Sequence, residues 1–344
     1  MAPTRIAVVG CGFYAQNHLN AWRDLASSGA ALAAVCDLDE GKARAAGAAF
    51  GVPWFTDPAA MLTSARPDLV DIVTRADTHR PLAELALRHA PGVIVQKPFA
   101  PTLAEARAVV RTAARRGRWL AVHENFRWQP PLRRAIALVD RGAIGAPSFA
   151  RIQFRTGFDV YATQPYFLTE ERLCIADVGV HLLDLARRTL GEVAHLSAET
   201  QRRNPRLRGE DTATILLRHA SGAVSVVEAT YESRRLPDPF PETLIEVEGP
   251  DGAIAVTPGG RIELSQGGAM RRSATRSPLA PWMGDPRWAV SQAGALECCR
   301  HLLAAFRAGR PAETSGADNL RTAALVDAAY EAAARGCAVR PAEP

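Results

Sequence analysis

Ile6-Ala7-Val8-Val9-Gly10-Cys11-Gly12-Phe13-Tyr14-Ala15 is a short apolar run broken by two glycines. Four apolar residues ending in a glycine turn predict a buried strand, and residues 14–28 carry the spacing of a helix. The link between them has the form G-x-G-x-x-A, placed where a strand ends and a helix opens, the context that gives the motif meaning. Gly10 permits the tight turn. Gly12 has no Cβ, so a pyrophosphate can approach the backbone, and Ala15 lets helix and strand pack closely. The free N–H groups and dipole of the helix start then stabilise the phosphates. Gly10, Gly12, Phe13 and Tyr14 are therefore expected to border a dinucleotide.

The pattern repeats outward from this unit. Strands are expected at 32–36, 69–73, 93–95 and 119–122, with helices from about Glu40, from about Arg80 and over 102–116. Short apolar strands alternating with amphipathic helices predict βαβ units and a parallel sheet covered on both faces, a doubly wound Rossmann domain over 1–123. Asp37 stands at the end of the second strand, 22 residues after Ala15. A carboxylate there accepts hydrogen bonds from ribose hydroxyls and repels a 2′-phosphate, which favours NAD over NADP. A helix N-cap is the other use of an Asp at this position.

Beyond about residue 145 the period changes to two. Ala150–Arg155, Thr212–Leu217, Val224–Glu228, Leu244–Glu248 and Ala253–Val256 alternate polar and apolar residues, with hairpin turns at 219–222 and 249–252. This predicts an α+β domain over 124–344 with an open, mostly antiparallel sheet. Helices are expected at about 178–190, 288–308 and 316–335, and residues 267–287, rich in Pro, Gly and Ser, are expected to form a long loop.

Composition narrows the class. The 344 residues are 47% hydrophobic and 22% charged, which excludes a largely disordered or fibrous chain. No apolar run is long enough to cross a bilayer, and Met1-Ala2-Pro3-Thr4-Arg5 leads straight into a strand, so neither signal peptide nor anchor is expected. The basic excess, 41 − 36 = +5, is spread along the chain, so no nucleic-acid partner is expected. Six cysteines without CxxC pairs suit a reducing, cytoplasmic compartment. Cys298 and Cys299 are adjacent on an expected helix and point about 100° apart, and no metal is expected.

Of the 41 basic residues only Lys42 and Lys97 are lysines. Lys97 ends the apolar strand Val93-Ile94-Val95-Gln96, and Pro98 turns the chain out of the sheet there. In a chain that uses arginine almost everywhere, a lysine at the ligand-facing end of a strand points to a need for a compact ammonium. A strand-end lysine reaching solvent is the alternative. Asp177 and His181 are spaced i, i+4 and share a face if helical. A carboxylate beside an imidazole suits proton transfer near neutral pH; a capping Asp near a buried structural His leaves the same pattern.

Taken in order, G-x-G-x-x-A, the acidic end of strand two, Gln96-Lys97-Pro98 and Asp177-x-Gly-x-His181 resemble the Gfo/Idh/MocA family of sugar and cyclitol oxidoreductases. Thr74, His79, Asn125-Phe126-Arg127 and Ala317-Asp318-Asn319-Leu320 belong to the same likeness, which spans nearly the whole chain. The resemblance implies NAD as cofactor, with Thr74, His79, Gln96, Lys97 and Asn125 beside it. It implies alcohol or hemiacetal oxidation, with His181 taking the hydroxyl proton, Lys97 stabilising negative charge on oxygen and Asp177 completing the group. Arg127, Asp159, Tyr161 and Gln164, polar residues flanking the expected strand near 150–158, are candidate sugar contacts together with Lys97, Asp177 and His181. It also implies a homodimer or homotetramer formed through the open sheet. Where the family commonly has Glu-Lys-Pro this chain has Gln96, which keeps a hydrogen bond but loses a negative charge beside the lysine. The stretches 96–101, 123–129 and 164–166 narrow the likeness to bacterial sugar dehydrogenases whose product is an aldonolactone. Cyclitol dehydrogenase, NAD-dependent glycosidase and non-catalytic NAD-binding regulator are the competing readings.

Overall fold

The computed structural model describes residues 2–343 except 276, 278, 281, 283 and 284. The chain divides into two compact units: residues up to Asn125 together with Ala295–Ala323, and Phe126–Gly294 together with Ala324–Glu343.

The first unit is built on β1 (Thr4–Val9), β2 (Ala30–Cys36), β3 (Trp54–Phe55), β4 (Leu69–Ile72), β5 (Gly92–Gln96) and β6 (Trp119–His123). They form one sheet in the order β3-β2-β1-β4-β5-β6, with every pair parallel. The order reverses beside β1, and ligands of such sheets bind outside the carboxyl ends of the strands at that point. The connecting helices are α1 (Ala15–Asp24), α2 (Glu40–Phe50), α3 (Pro58–Ala65), α4 (Ala76–His89) and α5 (Leu103–Arg115). Their starts are written in the sequence. Asp39 caps α2, Asp57 caps α3 ahead of Pro58, and Thr102 caps α5 with Glu105 three residues on. Helix α4 begins four residues before the expected start, with Pro81 inside it, so His79 lies on the helix.

The second domain was expected to run unbroken over 124–344. Instead residues 295–323 belong with the first unit. The reason is the free edge of β6. The Val122 N–H donates to the Thr314 carbonyl at 2.8 Å, the Thr314 hydroxyl returns to the Val122 carbonyl at 2.7 Å, and Ala121 bridges Ser315. The returning segment satisfies backbone groups that an open edge would expose.

The second unit carries β7 (Phe149–Arg155), β8 (Val193–Gln201), β9 (Thr212–His219), β10 (Val224–Thr230), β11 (Leu244–Gly249), β12 (Gly252–Thr257), β13 (Arg261–Gln266) and β14 (Ala269–Ala274). The sheet order is β14-β13-β12-β11-β7-β10-β9-β8. All neighbours are antiparallel except β7 and β10, which run parallel. Buried and exposed residues alternate along β9 and β11, so one face is buried and the other solvated. Helix α8 (Val180–Leu190) packs on β7 and β10 with almost every side chain buried. Before it lie α6 (Pro130–Asp140) and the short α7 (Val160–Thr163); α9 (Ala289–Arg307) and α10 (Gly316–Arg335) each begin in one unit and end in the other. Part of the loop expected over 267–287 is strand β14, while 276, 278, 281, 283 and 284 lie outside the described residues.

Candidate active site

The glycine turn after β1 shows two different demands. Gly10 has φ +100°, and a Cβ there would sit 2.2 Å from the Val73 carbonyl oxygen, so no other residue fits. At Gly12 a Cβ would meet nothing within 4 Å: its open side is room for a ligand rather than for packing. Helix α1 has no side-chain cap and no acidic residue in its first turn, which leaves its N–H groups to an anion. Asp37 is half-buried, its Oδ2 accepting the Cys11 N–H at 2.8 Å and its Oδ1 the Asp39 N–H at 2.9 Å. It therefore braces the glycine turn while keeping lone pairs for further donors. Next to it Leu38 is 84% exposed, an apolar side chain that the motif did not single out.

Two further expected cofactor residues have partners that define their roles. His79 is buried with Nδ1 3.0 Å from the Pro98 carbonyl and Nε2 3.1 Å from the Thr74 carbonyl. Burial pushes the imidazole pKa down, so the neutral ring donates to only one of these two carbonyls. The ring lies between the chain after Lys97 and the chain after β4. Thr74 accepts the Thr78 hydroxyl at 2.7 Å. Asn125 donates to the Tyr14 hydroxyl at 3.0 Å, while its buried Oδ1 has no hydrogen-bond partner and remains an acceptor for a ligand. Burial keeps the Tyr14 phenol protonated. Phe13 is 54% exposed beside Gly12. An open glycine, an uncapped helix start and an unmet buried acceptor fit a dinucleotide.

Lys97 leaves β5 half-buried, its N–H donating to the Gln96 side-chain oxygen at 2.6 Å. Behind it His18, His123 and Cys299 bring ligand-type atoms within 4.8 Å of one another. These atoms are already engaged: His18 Nε2 meets Gln96 Nε2 at 2.9 Å, and Cys299 Sγ meets His123 Nε2 at 3.6 Å. Burial also holds the Cys299 thiol well above its ordinary pKa, against the thiolate that a metal requires.

In the second unit Asp177 lies in a π-helical turn, Ile175–Gly179, that leads into α8, and not on the plain α-helix expected from the spacing. Such turns re-aim side chains and are frequent at functional sites. Glu210 pins the turn from below: its Oε1 takes the Ile175 N–H at 2.9 Å and the Tyr330 hydroxyl at 2.6 Å, and its Oε2 takes the Leu173 N–H at 3.2 Å. Tyr231 donates to Asp177 Oδ2 at 2.5 Å. Burial and the Asp177 charge push that phenol far above its usual pKa, so it stays a donor. His181 is buried and stacked flat on Phe126, ring centroids 3.7 Å apart and planes at 4°. Tyr231 and Phe126 carry no sequence signal beyond an aromatic at a strand end and one inside the Asn125-Phe126-Arg127 stretch.

The expected sugar contacts separate on inspection. Arg127 makes a buried two-point pair with Asp184, including Nη2–Oδ1 at 2.6 Å, so its guanidinium serves the fold. Arg127→Met should lower unfolding free energy by about 3–5 kcal/mol, because it leaves Asp184 buried beside the more distant Arg187. Urea denaturation checks this; a loss below about 1 kcal/mol, typical of an exposed pair, contradicts it. Asp159 caps α7 through the Tyr161 and Ala162 N–H groups. Tyr161 reaches Glu232 at 3.4 Å, and Gln164 accepts the Tyr166 hydroxyl at 2.8 Å. Tyr161, Gln164 and the exposed Tyr166 thus form a polar, aromatic segment between β7 and the π-helical turn.

Comparison with known proteins now decides the family. Residues 4–124 match the Gfo/Idh/MocA model described as an oxidoreductase family with an NAD-binding Rossmann fold, and residues 132–255 match that family's C-terminal domain. A D-apiose dehydrogenase of Paraburkholderia graminis is 45% identical over 96% of this chain and 88% of its own. The chain belongs to the Gfo/Idh/MocA oxidoreductases. A second D-apiose dehydrogenase, from Rhizobium rhizogenes, is 44% identical over 98% of this chain and 97% of its own. Among solved structures, an oxidoreductase from Agrobacterium radiobacter in complex with NAD+, L-tartaric acid and magnesium superposes with TM-score 0.95 at 44% identity, covering 98% of each chain. This Gfo/Idh/MocA member is an oxidoreductase whose cofactor is NAD. No helix among the described residues is long and apolar enough to cross a membrane.

Proposed function

We propose that the chain oxidises the anomeric hydroxyl of D-apiose, or of an aldose closely like it, to the aldonolactone. The observation that carries this substrate is the 44% and 45% identity, over nearly the whole chain, to two D-apiose dehydrogenases. NAD, when bound, accepts the hydride leaving the anomeric carbon. His181 takes the proton of the same hydroxyl, so loss of hydride and proton leaves the lactone carbonyl. Its ring is held in one plane by Phe126. Asp177, tied by Tyr231, supports the positive charge that His181 acquires. Lys97 donates to the reacting oxygen and stabilises its developing negative charge, which an amide neighbour at 96 does not quench. Gly10, Gly12, Asp37, Thr74 and Asn125 hold the dinucleotide, and Tyr161 and Gln164 contact the sugar.

The test is a panel of D-apiose, other aldoses, cyclitols and glycosides with NAD, following NADH and identifying the product. NADH formed in equal amount with an apiose-derived lactone supports the proposal. NADH from a cyclitol but not from apiose rejects the substrate; glycoside hydrolysis without net NADH, or no turnover at all, rejects the reaction. For the cofactor, Asp37→Ala should raise the NADP-to-NAD ratio of kcat/KM by at least about tenfold, by removing the charge that repels a 2′-phosphate. It should also weaken NAD, because the Cys11 N–H loses its acceptor. An unchanged ratio contradicts the assignment.

The same proposal extends to assembly and location. The solvated face of the eight-stranded sheet carries Arg151 and Glu228, paired at 2.7 Å, with Glu246 on the neighbouring strand. A face of alternating charges and small apolar residues suits a second copy of the chain, as a homodimer or homotetramer, which light scattering of the purified protein tests. All six cysteines are free, which supports a cytoplasmic setting.

A further inference from the structure

The apolar strand β4 buries a carboxylate. Asp71 is 0% exposed, and its Oδ2 accepts both Trp22 Nε1–H at 2.7 Å and His18 Nδ1 at 2.8 Å. His18, also 0% exposed, turns its other nitrogen to Gln96 Nε2 at 2.9 Å, and Gln96 Oε1 takes the Lys97 N–H at 2.6 Å. Only one arrangement of protons satisfies the series. A backbone N–H can only donate, so the Gln96 oxygen faces Lys97 and its amide N–H faces His18. His18 Nε2 must then hold a lone pair, and Nδ1 carries the proton given to Asp71.

We propose that Gln96 is a positioning residue for Lys97, oriented by a one-directional chain from Lys97 through Gln96 and His18 to Asp71. Resting on the assignment of Lys97 to the reacting oxygen, it supplies the reason for an amide at position 96. A carboxylate there would oppose the lone pair of His18 unless the ring took a second proton. An apolar side chain would leave the Lys97 N–H and the His18 lone pair unmet, and the strand end would lose its fixed exit. The ring of His18 is faced by Tyr14 on the α1 side, Asp71 on β4, Gln96 on β5, His123 on β6 at 4.0 Å between ring centroids, and Cys299 on α9. Asp71 is the one carboxylate among these.

Four measurements test the proposal. Lys97→Ala comes first: if it retains full kcat, the assignment of Lys97 fails, and the positioning role fails with it. Given an inactive Lys97→Ala, Gln96→Met should lower kcat by about 100-fold, the scale of a small misplacement of a reacting group, with the NAD dissociation constant nearly unchanged. Wild-type kcat in this variant overturns the positioning role while leaving Lys97 catalytic. Gln96→Glu sets a carboxylate oxygen against the His18 lone pair, so its kcat should fall below that of the wild type with the NAD dissociation constant nearly unchanged. Wild-type kcat in Gln96→Glu overturns the directional chain. Nitrogen chemical shifts of His18 in the wild-type protein give an answer that needs no variant. A proton on Nδ1 alone is expected, and a proton on Nε2 overturns the proposal.

Discussion

Lys97→Ala should lower kcat for the sugar by about 10²–10³-fold, the cost of removing one donor from a developing oxyanion, while the NAD dissociation constant changes little. The lysine sits at the carboxyl end of β5, and the dinucleotide contacts assigned above lie at the β1 turn, Asp37 and Asn125, so binding and chemistry should separate. Lys97→Arg should not restore turnover, because a planar fork cannot replace a compact ammonium held by one backbone geometry. The chain carries its own control. Lys42, the other lysine, is exposed and lies 3.6 Å from Asp39, and Lys42→Ala should keep wild-type turnover. Stopped-flow measurement of the first turnover checks the chemical step directly. A Lys97→Ala enzyme with normal single-turnover rate would remove the ammonium from the mechanism.

His181→Ala is the second large effect. Losing a general base costs about 10²–10⁴-fold, and the residual rate should rise with pH as hydroxide or the ionised sugar substitutes for the imidazole. The packing around the ring separates this from simple damage. His181 stacks on Phe126 inside a buried helix, so His181→Asn or His181→Ala lowers stability as well. The diagnostic readout is therefore the pH profile of kcat at a temperature where both proteins are folded. A variant with reduced stability but a wild-type profile would assign His181 a packing role only. Tyr231→Phe should give a smaller loss in the same direction, since it removes the Tyr231 hydrogen bond to Asp177 Oδ2.

Most of the first unit was legible because its signals are local. The apolar run before Gly10 and the spacing to Asp37 each act over a few residues, while the two-residue β3 and helix α3, which Asp57 caps, were not among the expected elements. Strand β14 gave no signal because all six of its side chains are exposed, so it has no apolar face to mark it. Helix α6 opens on Pro130-Pro131, which reads as a break although proline at the first helical position is favourable. The return of 295–323 to the first unit rests on bonds such as Thr314 to Val122, separated by 192 residues, which no window of sequence contains.

The residues assigned to the reaction were singled out by scarcity and spacing: Lys97, Asp177 and His181. The side chains that support two of them were not legible: Tyr231 bonds Asp177, Phe126 stacks on His181, and Glu210 holds the turn that carries Asp177. The one overlooked signal was Asp71, a carboxylate inside the apolar strand Leu69-Val70-Asp71-Ile72. A charge there needs partners, and His18 and Trp22 are those partners.

The most direct test uses D-apiose carrying deuterium at its anomeric carbon. One deuterium per lactone should arrive at C4 of the nicotinamide ring, slowed by a primary isotope effect in single turnover and slowed about 10²–10³-fold further with Lys97→Ala. Reduced cofactor lacking the label, or lactone formed without reduced cofactor, would contradict hydride transfer from that carbon.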